Sequence, residues 1–235
     1  MTKKVLVGTP TTSDKSYALA RYLYVLKNLT YDCDVLLIDN SEDPEYSALI
    51  EQYGISVLRT PHMDNPYEQL ILARNTLRKR AIEGGYDYLL SLESDVIPSL
   101  DIVEKLLRHK KDYVTAYMDN YILLPNKIKK MPVIRREFSD TPGRYYDLTE
   151  EERQEGDLIE IGRAHLGCTL ISTEALKKVE FRHDEWQYDD YLLCDDLRAA
   201  GYKLFCDTTI DIFHMCDGGS LHVRARKWRK EQEKS

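Results

Sequence analysis

No apolar run in this 235-residue chain approaches bilayer-spanning length; the longest, such as Val35-Leu36-Leu37-Ile38, stop after a few positions. The basic start, Met1 to Lys4, leads through Val5-Leu6-Val7 straight into Gly8-Thr9-Pro10. That reads as a strand entering a loop and not as a secretory leader. A cytoplasmic, cytosol-facing location is the default expectation. There is no C-x-x-C pair. The five cysteines (Cys33, Cys168, Cys194, Cys206 and Cys216) are odd in number, so neither a disulfide framework nor a zinc ribbon is expected. Cys206, His214 and Cys216 lie close in sequence, but their spacing fits no standard zinc pattern, and buried free thiols are the plainer reading. No G-x-G-x-x-G follows the first strand and no G-x-x-x-x-G-K-[ST] occurs, which removes the dinucleotide fingerprint and the P-loop. Positive charge is not in excess either. The formal net charge of −7 argues against a body that binds nucleic acid nonspecifically.

Apolar material is sufficient: 43% of residues are hydrophobic, enough for the core of one α/β domain. Val5 to Thr9 reads as a buried strand. Leu19, Leu23 and Leu26 follow at helical spacing, and Val35 to Asp39 is a second strand ending in Asp39-Asn40-Ser41. Ser41 to Pro44 signals a helix start, with Tyr46, Leu49, Ile50 and Tyr53 as its apolar stripe. Ile55 to Leu58 is a third strand. A longer helix spans Pro66 to Glu83 with Leu70, Ala73, Leu77 and Ala81 inward, stopped by Gly84-Gly85. Tyr86 to Leu92 is a fourth strand, Ser99 caps another helix, and Asp112 to Met118 is a fifth strand. Strands alternating with helices predict an α/β fold with a mostly parallel central sheet flanked by helices. In such sheets ligands sit beyond the carboxyl ends of the strands.

Residues 120–160 lose this rhythm, with Pro125, Pro132, Pro142 and Gly143, a basic cluster and then an acidic stretch. They read as an insertion, partly mobile, covering the acceptor side of the site. Regular structure resumes at Ile159 to Ser172. A charged helix runs from about Asp189 to Ala200, and Tyr202–Phe205 and Ile210–Phe213 are short final strands. The expected organisation is one catalytic domain over 1–216 and a basic tail over 217–235. The tail reads as a solvated helix or as a flap, hinged at Gly218-Gly219, that meets phosphates or an anionic membrane surface.

Glu93-Ser94-Asp95 ends the fourth strand. In an extended segment residues i and i+2 point the same way, so both carboxylates would face one ligand. Without a P-loop, a divalent metal held by carboxylates is the natural way to neutralise phosphates. Near the other end stand Asp189-Asp190-Tyr191, then Gly201-Tyr202-Lys203-Leu204, and His214. Asp190 lies eleven residues before Gly201.

Taken in order, these segments resemble glycosyltransferases of the GT-A fold, especially the family 2-like group. The resemblance covers the chain except the insertion and the tail. It implies a nucleotide-sugar donor, UDP- or GDP-linked, and a carbohydrate, lipid-linked or other hydroxyl acceptor. It also implies a hexosyltransferase-like, inverting class of reaction by analogy with the usual Glu-Asp pair, here Asp-Asp. Thr9 and Pro10 would line the base pocket and Asp39 would contact the base edge. Glu93, Ser94 and Asp95 would form the D-x-D-like motif. Asp95 and His214 would hold Mn²⁺ or Mg²⁺ with the donor diphosphate. Asp190 would be the general base, with Asp189 the alternative. Arg74 either approaches the nucleotide or is an ordinary helix-surface arginine. Trp186 is the expected acceptor platform, and His165 and Gly167 belong to a small-residue segment where acceptor and donor approach. Asp195 and Asp196 are expected on the exposed helix face.

Two rival readings fit the same layout. A nucleotidyltransferase shares the layout, but Gly8-Thr9-Pro10-Thr11-Thr12 lacks its glycine-rich basic loop. A non-catalytic nucleotide-sugar-binding module would have lost one of Asp95, Asp190 and His214, and all three are present.

Overall fold

The computed structural model describes residues 2–124, 127–184 and 187–215. The first half alternates as the pattern predicts: β1 (Val5–Thr11), α1 (Ser16–Lys27), β2 (Asp34–Asp39), α2 (Glu45–Gln52), β3 (Ser56–Arg59), α3 (Pro66–Glu83) and β4 (Tyr88–Leu92). After a tight turn come β5 (Val96–Ile97), α4 (Ile102–Leu107) and β6 (Tyr113–Tyr117). The expected insertion holds β7 (Asp119–Leu124), β8 (Lys127–Pro132), β9 (Ile134–Glu137), β10 (Tyr145–Asp147) and α5 (Glu150–Arg153). The chain then runs through β11 (Leu158–Ile161), β12 (Arg163–Ala164), β13 (Cys168–Ser172), α6 (Thr173–Leu176), α7 (Asp189–Ala199), β14 (Leu204–Asp211) and β15 (Phe213–His214).

Among the described residues, the main sheet has eight strands in the order β11-β14-β6-β13-β4-β1-β2-β3. The pairs β1–β2, β1–β4, β2–β3 and β6–β14 are parallel. β13 runs antiparallel between β4 and β6, and β11 runs antiparallel on the edge. All the parallel strands therefore end at one rim. Residues of β1, β2, β4, β6 and β13 are buried on both faces, as helices on both sides require.

Several local expectations are revised. β1 continues through Pro10 to Thr11, two residues past the expected end. Its ladder to β4 stops at Gly8–Ser91, so the proline, which cannot donate, falls beyond that pairing. In α2, Tyr46 and Ile50 are buried while Leu49 and Tyr53 are exposed, so the stripe is narrower than its sequence suggests. Asp101, not Ser99, flanks α4. The last two expected strands are one, β14, with an irregularity between Asp207 and Asp211. The insertion is not irregular: β7 pairs with β8, and β9 sits between β10 and β12 in a second sheet. Other signals held. Asn65 caps α3 through a bond to the Tyr67 N–H, with Pro66 at the first helical position.

Close approach of α3 to the sheet depends on Gly8. A Cβ there would lie 2.8 Å from Leu89 Cδ1 and 2.9 Å from Leu77 Cδ2. Gly8→Val should destabilise the protein by about 1–3 kcal/mol through overpacking. A urea titration checks this, with a lower midpoint and an unchanged slope expected. A wild-type midpoint would show that the helix does not need this contact.

Candidate active site

At the carboxyl rim lies a cavity of about 120 Å³. Pro10, Thr11, Thr12, Asp14 and Lys15 wall one side, from the end of β1 and the short 3-10 turn Ser13–Lys15. Asn40, Pro66, Gln69 and Leu70 wall a second, and Glu93, Ser94 and Asp95 close the third.

The acidic segment after β4 is a turn and not an extended strand: the Val96 N–H donates to the Glu93 carbonyl at 3.0 Å. Both carboxylates still line the cavity, but they take different partners. Asp95 is buried, and its Oδ2 meets three groups: the Lys15 ammonium, the Tyr17 hydroxyl at 2.8 Å and His214 Nε2 at 3.4 Å. Antiparallel pairing of β15 with β5 puts His214 opposite Val96, and the Met215 N–H donates to the Asp95 carbonyl at 2.8 Å. The two expected metal ligands, far apart in sequence, thus converge. Burial alone would raise the Asp95 pKa, but His214 and Lys15 beside it hold the carboxyl well below the usual range. Burial would lower that of His214, and Asp95 outweighs it and raises it.

Whether a divalent ion suits this place can be judged from the donors. Asp95 Oδ1 is buried and has no hydrogen-bond partner. The His214 Nδ1–H donates to Asn120 Oδ1 at 2.8 Å, which directs Nε2 at the carboxylate, as a ligating imidazole with an outer partner would be. Among the described residues no group of three or more His, Cys, Asp or Glu is arranged to hold an ion alone. Asp95 and His214 fit a metal whose remaining positions are filled by a ligand's oxygens.

Glu93 turns the other way. Its Oε1 accepts from Arg74 Nη2 at 3.1 Å, Arg74 Nη1 donates to Ser91 Oγ at 3.3 Å, and Arg74 Nε lies 2.5 Å from Asp189 Oδ2. Arg74 is only 3% exposed, so it is neither a surface residue nor free to grip a nucleotide. Asp189 and Asp190 open α7 and are both buried. Burial raises both: Arg74 opposes this, while neighbouring carboxylates add to it, leaving Asp189 at about 6 and Asp190 at about 7. Asp189 is committed to Arg74. Asp190 instead accepts the Tyr191 N–H on Oδ1 at 2.8 Å and has His165 Nδ1 3.2 Å from Oδ2. His165 Nε2 is 3.2 Å from the Tyr191 hydroxyl, and burial pushes this imidazole down to about 4, so it stays neutral.

Other expected site residues sit elsewhere. The Thr9 hydroxyl faces Tyr22 in the core, because β1 extends two residues further and Thr11 takes the rim. Asp39 is fully buried beneath the cavity: Ser41 donates to its Oδ1 through N–H (2.9 Å) and Oγ (2.6 Å), while Oδ2 has no hydrogen bond and lies 3.7 Å from Arg59 Nε. Gly167 acts through its backbone, its carbonyl accepting the Glu93 N–H at 3.0 Å, and a Cβ there would lie 2.8 Å from Met118. Asp195 and Asp196 are half-buried ion-pair partners of Arg163 and Arg182, not free surface carboxylates. Trp186 and the tail lie outside the described residues. Lys15, Tyr17, Gln69 and Asn120 were not foreseen. A lone lysine, tyrosine or amide in a loop or on a helix carries no spacing signal.

No protein-family model matches the chain, and no curated protein matches its sequence. Solved structures do match in fold. A197 from STIV shares 17% identity over 91% of this chain and 86% of its own, with a TM-score of 0.53. S. aureus TarS 1–349 in complex with UDP shares 15% identity over 81% of this chain, with a TM-score of 0.54. This chain spans about half, 54%, of that TarS segment. CMP:2-keto-3-deoxy-manno-octonic acid synthetase complexed with CTP shares 10% identity over 99% of this chain and 100% of its own, with a TM-score of 0.53. The fold is of the GT-A type, an α/β architecture with a mostly parallel central sheet. Among the described residues no helix is long and apolar enough to cross a membrane.

The buried aspartates have a consequence for stability. An Asp whose folded pKa is raised favours the native state at low pH and loses that contribution as pH rises from its unfolded value of 3.8 through about 7. Asp190→Asn should therefore raise the melting temperature at pH 8 by several degrees and change it little at pH 4. Calorimetry at both pH values measures this, and a lower melting temperature at pH 8 would contradict it.

Proposed function

We propose that this protein is a metal-dependent glycosyltransferase that moves a sugar from a UDP- or GDP-linked donor to a hydroxyl of a carbohydrate, lipid-linked or other acceptor, with inversion. The carrying observation is the convergence of Asp95 and His214 beside a rim cavity whose Glu93 is tied through Arg74 to Asp189, the neighbour of Asp190, a buried aspartate raised to about 7. Mn²⁺ or Mg²⁺ held by Asp95 and His214 would offset charge on the departing diphosphate. Asp190 takes the proton from the acceptor hydroxyl, whose oxygen attacks the anomeric carbon as the bond to the diphosphate breaks. A base titrating at about 7 suits this, since it is largely ionised above neutrality yet basic enough to accept the proton. Arg74 engages Asp189, which supports Asp190 over Asp189 for this role. The TarS complex with UDP supports a nucleotide in this fold.

A second reading, nucleotidyl transfer making a nucleotide sugar, is favoured by the whole-length fold match to the synthetase complexed with CTP and by a lysine on the cavity wall. The two readings separate on products. Incubation with nucleotide sugars and Mn²⁺ should release nucleoside diphosphate, and Asp95→Ala should abolish the release. Pyrophosphate formed from a sugar phosphate and a nucleoside triphosphate would favour the second reading.

The pH profile has a definite sign. The rate with a hydroxyl acceptor should rise with pH through about 7 and level off above it, following ionisation of Asp190. Asp190→Asn should lower kcat by about 10²–10⁴-fold with little change in donor KM. Asp189→Asn should keep the pH-dependent limb. If that limb disappears with Asp189 and survives loss of Asp190, the roles are reversed.

A further inference from the structure

Among the described residues Lys15 is the sole cation lining the cavity, which also carries three carboxylates, Asp14, Glu93 and Asp95. Its ammonium rests on Asp95 Oδ2, the carboxylate that the donor reading assigns to the metal. Tyr17 supports the same oxygen, and the Tyr17 hydroxyl also donates to the Met215 carbonyl at 3.1 Å. The other oxygen, Oδ1, is buried without a partner. Lys15 itself is about a quarter exposed, on a turn just before α1, and its flexible stem can swing.

We propose that Lys15 is a built-in counter-ion that exchanges partners when donor binds. Its ammonium leaves Asp95 for the diphosphate, and Asp95 becomes free for the divalent ion. The inference rests on the donor-site reading above and adds to it a coupling between metal and nucleotide.

The physical argument is charge balance. A diphosphate alone meets a cavity with more acids than bases. A divalent ion alone meets a carboxylate already neutralised by an ammonium. When both arrive, one ion pair becomes two, Asp95 with the metal and Lys15 with a phosphate oxygen, and every charge keeps a partner. Each ligand therefore raises the affinity of the other, and by linkage the two factors must be equal. A cavity with metal ligands but no lysine would bind the ion without waiting for nucleotide.

The test uses the full chain, UDP, CDP, GDP and ADP as nucleotide probes, and Mn²⁺ as the metal. Free Mn²⁺ is read by electron paramagnetic resonance and nucleotide binding by calorimetry, so activity is not needed. In the wild type, the nucleotide that binds should tighten Mn²⁺ binding by about tenfold or more, and Mn²⁺ should tighten nucleotide binding by the same factor. Lys15→Met should bind Mn²⁺ alone about tenfold more tightly than wild type, bind nucleotide more weakly, and show a smaller coupling, the part that direct contact between metal and diphosphate supplies. Lys15→Gln should behave the same way, and Lys15→Arg should keep the coupling. Circular dichroism confirms that each variant is folded. Equal Mn²⁺ affinity in wild type and Lys15→Met, or full coupling without the lysine, overturns the exchange. If none of the four nucleotides binds with or without Mn²⁺, the donor reading itself fails, while the metal-only comparison still decides whether Lys15 guards Asp95.

Discussion

A guanidinium buried against carboxylates fixes much of this site. Arg74 on α3 reaches Glu93 beyond β4 and Asp189 at the head of α7, so three elements distant in sequence meet at one cation. Such a charge survives burial only when it is paired and hydrogen-bonded, and removing one partner typically costs about 3–5 kcal/mol. The same grouping sets the chemistry nearby. One guanidinium stands among Glu93, Asp189 and Asp190, so negative charge is in excess where water is scarce. Burial is the main reason Asp190 is pushed to about 7, with Glu93 adding to it and Arg74 opposing it, while Asp95, also buried but with an imidazole and an ammonium at hand, is held low. Similar side chains a short distance apart are thus fitted to different tasks by their neighbours.

What could be read from the sequence was mostly what has a period or a cap. The bounds of α3 follow from Asn65-Pro66 at one end and Gly84-Gly85 at the other, and the structure places them at Pro66 and Glu83. The alternation of the first strands and helices led directly to a parallel sheet, and the rule that ligands gather at its carboxyl rim pointed at Asp95, while His214 was paired with it through the GT-A resemblance, and the two converge. The antiparallel placement of β13 could not be read, because strand direction depends on the path between β4 and β6 and not on composition. Nor could the β-structure of the insertion, whose prolines and charges look like loop. Arg74 was ambiguous for a related reason: on a helix, a buried cation and a surface cation share one letter, and only its three-dimensional partners distinguish them.

The cation side and the acid side of the cavity are joined by one turn. Glu93 faces Arg74 and Asp95 faces Lys15 and His214, and the turn that separates them is tied down by backbone bonds from Glu93 to Gly167 and from Val96 to Glu93. Gly167 begins the loop edge of β13, so the antiparallel strand missed in the sequence is also what braces the acidic turn. A rigid turn matters because groups that act on a developing charge do so only when they need not reorganise.

Assembly of the cation side draws on both halves of the chain. Lys15 and Tyr17 come from the entry to α1, Asp95 from the turn after β4, Asn120 from β7 and His214 from β15. No local segment contains two of the elements that surround the Asp95 carboxylate, so the site cannot form ahead of the sheet that aligns them. Its last member arrives on a two-residue strand held by β5 and by the Met215 N–H on the Asp95 carbonyl. Side-chain bonds add to that attachment, from His214 to Asn120 and from Tyr17 to the Met215 carbonyl. Lys15 and Tyr17 reach the same carboxylate oxygen from the entry to α1, and Tyr17 is also bonded to the Met215 carbonyl beside His214. The buried charge at Asp95 is therefore matched from two directions, by Lys15 and Tyr17 from the N-terminal side and by His214 from the C-terminal side.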